Sequence, residues 1–143
     1  MFSFSYPAVF RPEPDGRFTV SFPDLRGANT DGKDKQEATE EAIDCLGSYI
    51  AEAIATKRPI PPPSALKRGQ RLVPVPFWIA GKLALYFAMR QQGISNSELA
   101  RRLGLRETVI RRMLDPDHAT KPEKLQAALA ELGQVLAVSV VAA

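Results

Sequence analysis

Phe2, Phe4 and Tyr6 alternate with small or polar neighbours, and Phe18, Val20 and Phe22 repeat the alternation. That two-residue period marks strands with one buried face. The turn-forming run Pro12 to Gly16 (PEPDG) lies between them, so an antiparallel hairpin is expected. A short extended piece, Gly27 to Asp31, is a candidate third strand. The period then changes. Ala38, Ala42, Leu46, Ile50 and Ile54 recur every four residues, flanked by Ile43 and Tyr49, which predicts a helix with one apolar stripe. Asp34 followed by Glu37 makes a capping-box pattern at its start, and Pro59 with Pro61 to Pro63 requires it to end by Arg58. Leu72 to Phe77 (LVPVPF) is apolar and extended but holds two prolines, which suits an edge strand.

The rest of the chain reads as helical. Ile79, Leu83, Tyr86 and Phe87 form a stripe ended by Gly93. Ser95 with Glu98 caps a second helix whose Leu99 and Leu103 face inward, and Gly104 breaks it. A third helix is expected from about Arg106 to Leu114, buried through Ile110, Met113 and Leu114 and stopped by Asp115-Pro116. Thr120 with Glu123 caps a fourth, using Leu125, Ala128, Leu129 and Leu132, and Gly133 closes it. Gln134 to Val141 (QVLAVSVV) is rich in β-branched residues and reads as a strand. A lone strand is marginal, so it is expected to pair with another chain or with the first sheet. The expected fold class is α+β: a small β-β-β-α-β sheet domain over residues 1–77, then an all-α domain over 78–143 with a C-terminal strand.

The net charge of +3 hides an asymmetry along the chain. Glu13 to Thr56 holds four basic and ten acidic residues, a net of −6, whereas Arg71 onward holds ten basic and six acidic, a net of +4. Opposite signs suggest two partners of opposite sign, although both surfaces could simply be solvated. Composition adds exclusions. The hydrophobic fraction of 45% is that of a folded protein, and one cysteine, Cys45, allows no internal disulfide. The opening MFSFSYPAVFRP has no basic segment leading into an apolar signal core, and the apolar run Val75 to Met89 is short and contains Lys82. A cytoplasmic location is the expectation.

Two short helices joined by a glycine-containing turn, the second rich in arginine, are the ingredients of a helix-turn-helix. In ISNSELARRLGLRETVIRRML, Ala100 suits a close helix crossing, Gly104 supplies the turn, and Leu105 and Ile110 are expected to pin the second helix. Glu107, Thr108, Arg111 and Arg112 then face outward as base-reading candidates, since arginine can grip guanine bidentately and glutamate can accept from cytosine. Ser97, Arg101, Arg102 and Arg106 are candidates for phosphate contacts, which fix register. Arg106 stands where such helices start with Ser, Thr or Asp, so the second helix lacks a side-chain cap. The bland alternative is a solvated helical hairpin. No catalytic constellation emerges, because the single histidine, His118, lies in a loop and offers a nucleophile little support. Most acidic residues of the first part fall on the expected solvent face of its helix, so no metal site is expected, and no cofactor is expected either.

YPAVF…DGRFTVSFPDLRGANTDGKDKQEATEEA resembles the N-terminal signature of HicB-type antitoxins, a partial ribonuclease-H-like fold. GKLALYFAMRQQGISNSELARRLGLRETVIRRMLDPDHATKPEKLQAALAELG resembles the helix-turn-helix tail of one branch of that family. Arg26 departs from the proline often found in FPDLPG. The resemblance implies a type II toxin–antitoxin function without enzymatic activity. The N-terminal domain would bind and neutralise a HicA-type, mRNA-cleaving toxin. The C-terminal domain would bind operator DNA, repress the operon, and form a homodimer or higher even-numbered assembly. It also implies toxin contacts near Phe22, Pro23, Asp24 and Leu25. Two other readings stand beside it: a stand-alone transcription regulator whose first domain senses another ligand, and a metal-dependent nuclease.

Overall fold

Strand β1 (Ser5–Pro12) pairs antiparallel with β2 (Phe18–Ser21), Val9 lying opposite Ser21 and Pro12 opposite Phe18. The computed structural model describes residues 3–142, so Phe2, the first position of the expected hairpin pattern, lies outside them. Strand β3 (Asn29–Gly32) adds to β2, and β4 (Arg71–Pro74) adds to the other side of β1. The result is a four-stranded antiparallel sheet in the order β3-β2-β1-β4. β4 is an edge strand, where a proline costs no ladder hydrogen bond.

Helix α1 (Lys35–Ala55) packs on this sheet against β3, β2 and β4. Asp34 Oδ1 accepts from the Glu37 amide at 2.9 Å, and the Glu37 carboxylate accepts from the Lys33 amide at 2.5 Å. The capping box is therefore made, shifted by one residue at its return bond. Ala38, Ala42, Leu46, Ile50 and Ile54 are all buried, as the four-residue spacing requires, opposite Tyr6, Ala8, Val20 and Val73. Gly47 is needed for close approach. A Cβ there would lie 2.7 Å from Pro76 Cγ and 3.1 Å from Trp78 Cζ2.

The chain forms two compact units, Met1–Ala80 and Gly81–Ala143. The division falls within α2 (Phe77–Gln92). The second unit also contains α3 (Asn96–Leu103), α4 (Glu107–Leu114) and α5 (Pro122–Glu131). Its core joins Leu85, Ala88 and Met89 of α2 to Leu99 and Ala100 of α3, Ile110 and Met113 of α4, and Leu125, Ala128 and Leu129 of α5. The architecture is thus mixed α+β, with one antiparallel sheet and five helices among the described residues.

Three local expectations are corrected. Gln134 to Val141 is not a strand: residues 134–142 carry no regular structure, and Val135, Val138, Val140 and Val141 are exposed. High β propensity cannot form a strand where no ladder partner is supplied. Thr120 does not cap the last helix. Lys121 occupies that position without a side-chain cap, and Pro122 begins the helix, where a missing amide costs nothing. Leu105 does not pin α4 to the core, being 42% exposed. Ile110, fully buried, does so.

Candidate functional site

In the second unit, α3 and α4 pack against each other across a three-residue turn. Ser95 Oγ accepts from the Glu98 amide at 3.1 Å and starts α3. Gly104 ends it at φ +66, a left-handed conformation open to glycine at little cost. Its amide and that of Leu105 return to the carbonyls of Arg101 and Ala100. Ala100 is buried at 3% exposure, as a close crossing demands. Arg106 takes the N-cap position of α4 and gives no side-chain cap, as its type predicts.

The outward residues are not equivalent. Ser97, Arg101, Arg102, Arg106, Thr108, Arg111 and Arg112 are exposed, and Glu107 is half-buried. Glu98 accepts from Arg101 at 2.7 and 3.0 Å and from Arg102 Nε at 3.0 Å. Hydrogen bonds from Arg101 and then Arg102 hold its carboxyl at about 2, below the usual 4.5. Glu107 accepts from Arg111 Nη2 at 2.5 Å, which raises the guanidinium's own pKa. Arg106 and Arg112 have no ion pair among the described residues. Arg101, Arg102 and Arg111 are therefore oriented by carboxylates one turn away, whereas Arg106 and Arg112 have no such carboxylate among the described residues.

Sequence reasoning missed what holds the far end of α4. Lys82, which had counted only as a charge interrupting an apolar run, is 4% exposed. Its ammonium donates to the carbonyls of Met113 and Arg112 and to the Thr120 hydroxyl. A lysine set within the otherwise apolar run Val75 to Met89 was the available signal.

The first unit presents a loop and an open sheet face. Phe22 to Ala28 closes through Leu25 N–H to Phe22 O and Ala28 N–H to Leu25 O, both at 3.0 Å. The arginine at position 26 thus fits a compact loop. Of the four loop candidates, Phe22 and Leu25 are buried in the core at 3% and 1%, so their side chains support the loop from beneath. Pro23 is exposed and Asp24 half-exposed. Asp24 accepts from the amide and hydroxyl of Ser64 at 2.9 and 3.0 Å. Burial first, and the Asp24 charge second, raise the pKa of Tyr6, whose phenol donates to Pro61 O at 2.7 Å. Val9, Arg11, Thr19, Ser21 and Asn29 line a depression of about 290 Å³. They alternate with the buried Ala8 and Val20 and so share the opposite sheet face.

No group of three or more metal-ligating side chains gathers among the described residues, and none of their helices is long and apolar enough to cross a membrane. Residues 5–84 match the family model described as HicB-like antitoxin of bacterial toxin–antitoxin system. The chain is 36% identical to Antitoxin HicB of Escherichia coli (strain K12) over 136 residues, covering 95% of this chain and 99% of that one. It is 38% identical to Antitoxin HicB 2 of Photorhabdus laumondii over 131 residues, 92% of each chain. Antitoxin HicB of Pseudomonas fluorescens is 30% identical over 141 residues, 98% of this chain and 96% of that one.

Proposed function

Because the chain belongs to the HicB-like antitoxin family of bacterial toxin–antitoxin systems, we propose that it neutralises a HicA-type mRNA-cleaving toxin with its first unit. With α3 and α4 it binds operator DNA as a helix-turn-helix and represses its own operon. The observation that carries this reading is likeness along nearly the whole chain to proteins named antitoxins. The role is stoichiometric binding, not catalysis, and its setting is the cytoplasm, where operator DNA and the toxin's mRNA substrate are found.

Charge supports the division of labour. An RNA-cleaving partner must carry a basic surface, and the −6 stretch of the first unit complements it, raising the association rate. The open sheet face and the loop at Pro23 and Asp24 are the proposed contact, with Phe22 and Leu25 holding that loop in shape. On the second unit, Arg111 and Arg112 with Glu107 and Thr108 read bases. Ser97, Arg101, Arg102 and Arg106 meet phosphates. Two copies are needed to read two half-sites one helical turn apart.

The test is co-expression with the product of the adjacent short reading frame. Growth should stop with that product alone and resume with this chain, and the two should co-purify. A toxic product that this chain neither binds nor silences would overturn the antitoxin role.

A further inference from the structure

Among the described residues, Lys82 is the one buried charged side chain. Its Nζ lies 2.8 Å from Met113 O, 3.3 Å from Arg112 O and 2.9 Å from Thr120 Oγ1, so three acceptors use its three protons. Arg112 and Met113 belong to the last turn of α4, the negative end of its dipole, where the Asp115 amide also reaches Arg112 O at 3.2 Å. Thr120 lies in the loop to α5 and also donates to Arg112 O at 3.4 Å. One ammonium from α2 therefore grips both the end of α4 and the loop that leaves it.

Lys82 stabilises through three hydrogen bonds at the cost of desolvating its charge. All three acceptors are neutral oxygens. Desolvation lowers the pKa of the lysine, and the Asp115 charge opposes that only in part. Apolar replacement is harmless where both partners of a buried polar pair are exchanged, whereas replacing Lys82 alone leaves the Met113 carbonyl and the Thr120 hydroxyl without this donor. The ammonium supplies what a methionine in the same slot cannot: directional bonds that settle where the last turn of α4 lies.

We propose that Lys82 is a positioning residue for sequence reading: by fastening the last turn of α4, it sets how Arg111 and Arg112 are presented to base edges. It thereby governs DNA specificity more than affinity for DNA in general. The inference rests on the proposed DNA-reading role of α4. Bidentate contacts to a base edge need alignment, whereas phosphate contacts act mainly through charge and tolerate displacement.

Lys82→Met and Thr120→Val in the full chain test it. Thermal melts followed by circular dichroism establish folding. Fluorescence anisotropy then compares a duplex from upstream of the chain's own coding region with poly(dI–dC). Lys82→Met should stay folded but melt lower, because the Met113 carbonyl loses this donor. Its affinity for the upstream duplex should fall about ten-fold, the worth of one bidentate contact, while poly(dI–dC) binding changes by less than about two-fold. Thr120→Val keeps the ammonium and removes one partner, so it should shift the same ratio by less. Should Lys82→Met fail to fold, the Thr120→Val ratio decides. A folded variant with an unchanged ratio overturns the role of Lys82 alone. An unsubstituted chain that binds neither duplex overturns the DNA-reading proposal and this inference with it.

Discussion

Five arginines lie between Ala100 and Leu114, and the side chains beside them set them apart. Arg111 is held by Glu107 and Arg101 by Glu98, while Arg112 and Arg106 stand without an ion pair among the described residues. Exposed pairs of this kind add little stability, so their effect is orientation. Under the proposed roles, Arg111→Ala or Arg112→Ala should cost about 1–3 kcal/mol on the operator and little on unrelated DNA. Arg101→Ala should weaken both duplexes alike and lower the salt slope by about one. Anisotropy titrations at several salt concentrations distinguish these patterns, and equal, salt-insensitive losses would count against the assignment. Glu98 gives a pH test. Its folded pKa of about 2 lies below its ordinary 4.5, so its contribution to stability is present above 4.5 and disappears as pH falls through about 2. A carboxyl NMR titration should show that low midpoint, and the Arg101→Gln/Arg102→Gln double variant should return it toward 4.5.

At the scale of elements, α3 and α4 differ in how they begin. Ser95 caps α3, whereas Arg106 leaves the first amides of α4 without a side-chain acceptor. Arg106→Ser should therefore stabilise the chain by about 1 kcal/mol in denaturant unfolding while weakening its binding to all DNA. The joint between the helices is set by backbone conformation. A Cβ on Gly104 would meet nothing within 4 Å, so Gly104→Ala carries only the cost of φ +66, about 1 kcal/mol. A loss several times larger would mean that the turn is also packed. These elements were readable from sequence because their signals are local: the Asp34–Glu37 and Ser95–Glu98 caps, the Gly104 break and the α1 stripe involve residues within a few positions of one another. Thr120 was misread for the same reason. Its pattern with Glu123 is a valid local cap, but Lys82 and the Arg112 carbonyl, distant in sequence, engage the hydroxyl instead.

At the scale of the molecule, residues 134–142 form no strand among the described residues. Leu136 packs on the helical core, whereas Val135, Val138, Val140 and Val141 are exposed. Such β-branched residues gain little from water and much from a facing strand. If two copies pair through this segment, truncation after Gly133 should convert a dimer to a monomer in light scattering. A truncated chain that stays dimeric removes the tail from the interface.

The sequence by itself determined the element order as far as α5, the apolar stripe of α1, the edge position of β4 and the ends of α3. Each follows from periodicity, capping or backbone restriction within a short window. Only the tertiary structure decided which outward groups pair, that Phe22 and Leu25 are core residues, and that residues 134–142 form no strand among the described residues. It alone showed that Lys82 joins the Asp115 amide in engaging the carbonyls of the C-terminal turn of α4. The physical reason is that burial and hydrogen-bond pairing depend on groups brought together from distant positions, here 30 to 38 residues apart at Lys82. No local pattern encodes such a meeting.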